Sequence, residues 1–218
     1  MKLTANVIGA TGLVGKQLVQ QLLINDIFEE VKVFSRRKTT IVHPKLVEHV
    51  VDFKSKITWE DLLNGDVLFS ALGTTLKQAG SKEKQYDVDF LLNLDFAKQA
   101  KKNGIKHYVL VSSVGANSKS KVFYTRIKGE LDDAVAKLGY ENLVVLRPSS
   151  LTGKRSEKRL AEVISIPIAT FITKFIFKKY RPISDETVAK AMIKGVLFPS
   201  GNKNIWEANE VFELAEKS

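Results

Sequence analysis

Tyr124 and Lys128 are the two side chains whose types and spacing most directly indicate chemistry. They lie four residues apart in residues 123–138, whose apolar spacing predicts a helix, so both side chains share one face. A tyrosine that exchanges protons near neutrality needs its pKa lowered by roughly 3 units from about 10. A lysine ammonium held close favours the phenolate and supplies part of that change. The pair therefore predicts a proton donor and acceptor with an activating cation.

Two serines precede this pair by eleven and twelve residues along the chain. Ser112 and Ser113 directly follow residues 107–111, which are predicted to form a strand. A serine hydroxyl at this position could hold the carbonyl oxygen of a substrate by a hydrogen bond. Either serine could do so, and both remain candidates.

Three glycines form a loop between a predicted strand, residues 3–8, and a segment with helical spacing of its apolar residues. Gly9 permits a tight turn, Gly12 lets a phosphate approach the backbone, and Gly15 lets the helix pack close to the sheet. The free N–H groups at the helix start attract an anion. The loop therefore predicts a dinucleotide site. The residues expected to contact the cofactor there are Gly9, Thr11, Gly12, Leu13, Val14 and Gly15.

Two arginines follow the second predicted strand, residues 31–35. At this point of a dinucleotide-binding fold, an acidic residue selects the 2′-hydroxyl of NAD, whereas an arginine pairs with the 2′-phosphate of NADP. Ser35 stands where the acid would be, and Arg36 and Arg37 come next. Guanidinium groups hold phosphate bidentately. The expected cofactor is therefore NADP(H).

Alternating strands and helices must bring these residues together. Further strands are predicted at residues 46–51, 66–72, 107–111 and 143–146, and helices at 57–63, 82–102, 123–138, 160–178 and 184–197. The tail, residues 204–216, predicts a short strand and a short helix. This rhythm predicts an α/β fold, a Rossmann-like doubly wound parallel sheet with helices on both faces. All 218 residues are expected to form one NAD(P)-binding domain, in which residues 149–218 form a small C-terminal extension on the substrate side.

Composition excludes several classes of site. The chain has no cysteine, which excludes disulfides and thiolate metal sites, and its three histidines share no ligand spacing, so no metal is expected. No signal peptide precedes the first strand, and the longest apolar stretch, residues 163–177, contains Pro167 and Lys174. We therefore expect a cytoplasmic protein without an integral membrane segment, either a monomer or a homodimer.

The net charge of +10 could indicate nucleic acid, anionic lipid or an anionic small molecule as partner. The lysines are spread along the chain, and neither zinc-finger spacing nor an aromatic and basic ribonucleoprotein motif is found. We therefore expect a solvated basic surface with one anionic cofactor, and no nucleic-acid partner.

The glycine loop and the Tyr124–Lys128 pair resemble the short-chain dehydrogenase/reductase superfamily. More narrowly, the chain resembles the atypical branch that contains the Tat-interacting-protein-like oxidoreductases and the NmrA-like NADP-binding proteins. The likeness covers residues 7–159, about two thirds of the chain. The residues that carry the narrower likeness are Arg36, Arg37, Leu72, Gly73, Thr74, Thr75, the run 112–116, Arg147, Pro148, Gly153, Arg155, Glu157 and Arg159.

The resemblance implies that Tyr124 donates and accepts the proton and that Lys128 binds the nicotinamide ribose and lowers the tyrosine pKa. It also implies that Ser113 or Ser112 orients the substrate carbonyl. Asp89 departs from the pattern, because many members place an asparagine of a catalytic tetrad near this position. The resemblance implies that the cofactor is also contacted by further residues: Leu72, Gly73, Thr74, Tyr124, Lys128, Leu151 and Arg159.

The resulting hypothesis is an NADPH-dependent oxidoreductase that transfers a hydride to a small carbonyl substrate, with Tyr124 as proton donor. The alternative is a redox-sensing regulatory protein that binds NADP(H) without turnover. Fold alone does not separate the two. A pure sensor needs neither the Tyr124–Lys128 pair nor the serines, so their presence favours the enzyme.

Overall fold

The computed structural model describes residues 2–152, 181–199, 201 and 204–218, and contains nine strands within them. They are β1 (Leu3–Ile8), β2 (Phe28–Ser35), β3 (Leu46–Val50), β4 (Val67–Ser70), β5 (His107–Val111), β6 (Asn142–Arg147), β7 (Leu151–Thr152), β8 (Ile183–Ser184) and β9 (Ile205–Glu207). Seven of these strands form one parallel sheet in the order β3-β2-β1-β4-β5-β6-β9, and β7 pairs with β8 separately.

The strand order reverses direction at β1. From β1 the chain continues through β2 to β3 on one side, and then crosses to β4, β5 and β6 on the other. In an open α/β sheet, ligands bind at the carboxyl ends of the strands beside such a reversal. The loops after β1, β2 and β4 therefore surround the expected cofactor crevice.

Seven α-helices lie in the described part of the chain, and they cover both faces of the sheet. They are α1 (Leu13–Leu23), α2 (Leu76–Ala79), α3 (Lys82–Tyr86), α4 (Asn93–Lys102), α5 (Phe123–Ala136), α6 (Asp185–Leu197) and α7 (Asn209–Ala215). Helices α1, α6 and α7 pack with Val7 and Val33 in one core. Helices α4 and α5 pack with Ile8 and Phe34 in the other, as the alternation of side chains along β1 and β2 requires. The prediction of a doubly wound parallel α/β fold is confirmed.

Local signals predicted several elements closely. Strand β5 and the starts of α3 at Lys82 and of α5 at Phe123 lie where expected. Ser184 caps α6 by accepting the Thr187 N–H at 3.0 Å. The tail contains the expected strand and helix, and β9 pairs with β6 as a seventh strand. The helix expected at residues 160–178 lies outside the described residues.

The clearest differences from the prediction lie in three elements. Strand β2 begins at Phe28, three residues before its predicted start. Phe28 is buried, but the polar residues that follow it interrupt the apolar pattern at this end of the strand. Residues 57–63 form no α-helix but a 3₁₀ turn at Lys56–Thr58, and Trp59 after it is buried in a stack against Phe96. The helix expected at residues 82–102 contains a π-helical segment, Asp87–Leu92, between α3 and α4. Such segments occur frequently at functional sites.

Candidate cofactor and active site

The loop after β1 depends on its glycines. Gly9 has a φ of +83°, and a Cβ there would overlap the backbone of Ala71. The Gly12 N–H donates to the Gly9 carbonyl oxygen at 2.9 Å and closes the turn. A Cβ on Gly15 would overlap that carbonyl group, whereas a Cβ on Gly12 would approach its oxygen to 3.2 Å. Gly9 and Gly15 are therefore required for the shape of this loop.

Helix α1 begins without a capping side chain. Gly12 is the N-cap residue, and the first turn contains no acidic residue. Backbone N–H groups at such a helix start are available to an anion. Thr11, Gly12 and Leu13 are partly exposed, whereas Val14 and Gly15 are buried against the core. The loop thus forms a cradle suited to a pyrophosphate at the reversal of strand order.

The turn after β2 presents its two arginines to solvent. Ser35 is buried and its hydroxyl donates to the Arg37 carbonyl oxygen at 2.5 Å, while Arg36 and Arg37 are exposed. On the far side of the turn, the Thr39 N–H donates to the Glu48 carboxylate at 2.6 Å. Both ends of the turn are therefore anchored. Because β2 adjoins β1, the guanidinium groups lie on the side of the glycine loop where an adenosine ribose would be held.

Helix α5 places Tyr124 and Lys128 together. The Lys128 Nζ lies 6.0 Å from the centre of the Tyr124 ring. Tyr124 is 40% exposed, whereas Lys128 is buried. The phenol is therefore accessible to a small molecule, whereas the ammonium lies within the protein.

Asp89 is the partner of that buried lysine. Its Oδ1 lies 2.9 Å from the Lys128 Nζ, and its Oδ2 accepts the Thr74 N–H at 3.0 Å. Asp89 belongs to the π-helical segment, and the Asn93 side-chain amide donates to the Val88 carbonyl oxygen at 2.9 Å beside it. From the sequence, Asp89 is recognised only as a departure from the family pattern, and no role is predicted for Asn93. Neither has a local sequence signal that could have predicted these contacts.

The electrostatic balance keeps Lys128 positively charged. Burial alone would lower the pKa of Lys128, but the Asp89 carboxylate, with smaller contributions from Tyr124 and Asp132, outweighs burial and raises that pKa. Asp132 lies one helical turn beyond Lys128 on α5, a spacing that could have indicated the contact from sequence. The lysine is therefore an ammonium throughout the neutral range.

Ser112 belongs to a buried polar network. Its hydroxyl donates to the Asp132 Oδ2 at 3.0 Å, and the Arg147 Nε donates to the same oxygen at 2.9 Å. Arg147 also pairs with Glu207 at 3.5 Å, and the Gly115 N–H donates to the other oxygen of Glu207 at 3.2 Å. Burial raises the pKa of Asp132, and the hydrogen bonds from Ser112 and Arg147 oppose the rise. This network fixes the end of β5 to α5, β6 and β9.

Ser113 is differently placed from Ser112. It is only partly buried, and its hydroxyl makes a long contact of 3.4 Å to the Val114 carbonyl oxygen. A hydroxyl with such a weak partner can rotate toward a substrate at little cost. The geometry therefore favours Ser113 over Ser112 as the group that would hold a carbonyl oxygen.

The remaining expected cofactor residues lie in two places. Leu72, Gly73 and Thr74 form the loop after β4, and a Cβ on Gly73 would lie 3.6 Å from the Lys128 Nζ. Leu151 lies in β7, at the start of the C-terminal extension. Arg159 lies outside the described residues. Across the described ranges, no three acidic or histidine side chains are grouped as a metal site would require.

The fold is Rossmann-like, and solved proteins with the same fold include members of the short-chain dehydrogenase/reductase superfamily. A superfamily protein from Agrobacterium tumefaciens with bound NAD superposes with a TM-score of 0.71 at 12% identity, over 94% of this chain and 77% of that one. A UDP-N-acetylglucosamine 4-epimerase from Methanobrevibacter ruminantium gives 0.69 at 18% identity, over 98% and 81%. At these identities the likeness establishes the fold.

The family follows from sequence comparison. The family model described as HIM1 matches residues 21–181, and the chain belongs to this family. It is 36% identical to "Protein fmp52, mitochondrial" of Emericella nidulans, over 91% of this chain and 92% of the relative. It is 42% identical to "Protein FMP52, mitochondrial" of Candida glabrata, over 72% of this chain and 67% of the relative.

The expected cytoplasmic location is wrong, because the curated relatives are named mitochondrial proteins. The absence of cysteine fits a reducing cytosol but does not discriminate it from other compartments. In the part of the chain that the structure describes, every helix is too short or too polar to cross a bilayer.

Proposed function

We propose that this protein is an NADPH-dependent oxidoreductase that transfers a hydride to a small carbonyl substrate, with Tyr124 as the proton donor. The observation that carries the proposal is an exposed phenol one helical turn from a buried ammonium on α5. The glycine cradle and the reversal of strand order support a dinucleotide beside them.

The cofactor proposal rests on the residues of the cradle and of the turn after β2. Gly9 and Gly15 leave no room for side chains, and the open start of α1 suits a pyrophosphate. Several of the solved neighbours contain NAD. In this chain, however, Arg36 and Arg37 stand exposed after β2, and they favour the 2′-phosphate of NADP(H).

The chemistry divides between the cofactor and three side chains. When bound, the dihydronicotinamide supplies the hydride that reaches the carbonyl carbon. Ser113 hydrogen-bonds the carbonyl oxygen, and Tyr124 gives its phenolic proton to that oxygen as negative charge develops there, which completes the alcohol. Lys128 stabilises the resulting phenolate and holds the ribose hydroxyls. Solvent then returns a proton to Tyr124, which is accessible.

Three further points belong to the same proposal. The whole chain acts as one NAD(P)-binding domain, with residues 149–218, including Leu151 and Arg159, on the substrate side. The protein belongs to the branch of Tat-interacting-protein-like and NmrA-like proteins.

We also propose that the protein works at mitochondria, as the names of its relatives indicate. Fractionation of cells that express the tagged chain tests this location.

The experiment is a screen of aldehydes, ketones and quinones that follows NADPH oxidation. Tyr124→Phe removes only the hydroxyl, so we expect unchanged NADPH affinity and turnover lower by about 10²-fold or more. Tyr86→Phe makes the same change at a tyrosine that contacts Glu130, and serves as the matched control. Substantial turnover of Tyr124→Phe would remove the tyrosine from the mechanism. Tight NADPH binding without any wild-type turnover would instead support the regulatory alternative.

A further inference from the structure

We propose that Asp89 is a positioning residue that fixes the Lys128 ammonium and the loop after β4 relative to each other. The inference rests on the proposed function, in which Lys128 holds the nicotinamide ribose. Asp89 itself is fully buried and therefore cannot touch a substrate. Its effect must pass through the groups that it binds.

Both oxygens of the carboxylate have partners, one on α5 and one in the loop after β4. The Oδ1 lies 2.9 Å from the Lys128 Nζ on α5, and the Oδ2 accepts the N–H of Thr74 at 3.0 Å. A Cβ on Gly73 would lie 3.1 Å from the Oδ1, so the loop backbone passes directly over the ion pair. One side chain thus links the helix that carries the candidate catalytic pair to the loop beside the cofactor.

The π-helical segment supplies the means of reaching both partners. The wider turn of the π-helix over Asp87–Leu92 changes the direction of its side chains relative to those of a regular α-helix. The Asn93 side-chain amide donates to the carbonyl oxygens of Val88 at 2.9 Å and of Asp89 at 3.4 Å. Asn93 therefore satisfies backbone groups of the widened turn and holds Asp89 in place.

The pairing also determines how the ammonium can be used. The Asp89 Oδ1 forms an ion pair with the Lys128 ammonium at 2.9 Å, and because an ammonium has three N–H donors, donors remain for ribose hydroxyls or for the Tyr124 oxygen. The charged or titratable groups that face Lys128 are Asp89 from the π-helical segment and Tyr124 and Asp132 from its own helix. Asp132 already binds Arg147 and Ser112. Without Asp89, burial would therefore act on Lys128 with little opposition and lower its pKa.

The test follows the ionisation of Lys128 by NMR of its ¹³Cε, with Lys128→Arg to assign the resonance. In the wild type we expect the titration midpoint of Lys128 to lie above the ordinary lysine value of about 10.4, because the Asp89 carboxylate raises its pKa. In Asp89→Asn we expect titration at least about one unit below that value. Asp87→Asn removes the same charge from an exposed position of the same segment, and should behave as the wild type.

NADPH affinity gives a second readout. In Asp89→Asn it should be lower by about fivefold at pH 10, where most of the lysine has lost its proton, and closer to the wild type at pH 7. A structural role alone would weaken binding equally at both values. Equal titration of Lys128 in Asp89→Asn and Asp87→Asn would overturn the proposal.

The wild-type titration decides the matter even when Asp89→Asn does not fold. A wild-type Lys128 with a titration midpoint below the ordinary lysine value would contradict the proposal, whereas a midpoint above that value supports it. These NMR measurements need neither cofactor nor substrate. A protein without turnover but with the expected titration therefore rejects the proposed function and leaves the role of Asp89 intact.

Discussion

The two arginines after β2 offer a quantitative test of cofactor choice. Replacing Arg36 and Arg37 together by alanine removes both candidate partners of a 2′-phosphate without altering the anchored turn, since the Ser35 hydroxyl binds a backbone carbonyl. A charge-assisted hydrogen bond contributes about 1.5–3 kcal/mol. Both side chains are exposed, and solvent screening weakens each contact with the phosphate. We therefore expect the two arginines together to contribute about as much as one such bond, which corresponds to roughly a ten- to hundredfold loss of NADPH affinity.

Calorimetric titration with NADPH and with NADH measures the effect. NADPH affinity should fall by the stated factor in the double variant, and NADH affinity should stay nearly unchanged because NADH has no 2′-phosphate. Lys38→Ala removes a positive charge one position further along the exposed turn and controls for the general loss of charge. Equal wild-type affinity for both cofactors, or an equal loss of both in the double variant, would refute the reasoning.

Two further predictions concern the loop and the serines. In Gly15→Ala the added Cβ overlaps the Gly9 carbonyl group, so we expect a loss of about 1–3 kcal/mol in the free energy of unfolding and weaker NADPH binding, measured by denaturant titration and calorimetry. Normal NADPH affinity in this variant would exclude the loop as the cradle. Ser112→Ala removes one of the two donors to the buried Asp132 Oδ2 and should cost about 1–3 kcal/mol of stability, whereas Ser113→Ala should lower turnover at nearly unchanged stability. The opposite pattern would exchange the roles of the two serines.

Much of the fold could be predicted because it depends on signals close together in the chain. The apolar spacing of residues 3–23 marks β1 and α1, and Ser184 with the acids after it marks the start of α6. The error at residues 57–63 has a physical cause. Trp59 is held in a stack with Phe96 from α4, and this distant contact overrides the local helical pattern.

The candidate site divides in the same way. Tyr124 and Lys128 share a helix face, and the glycines share one turn, so local geometry alone brings each set together. Only the tertiary structure placed Asp89 against Lys128 and joined Ser112 to Asp132. Those contacts join residues far apart in the chain, and their existence depends on which strands and helices become neighbours. Residue type and spacing therefore determined the candidate chemistry by themselves, whereas the packing of α5 against the π-helical segment decided which buried charge balances the lysine.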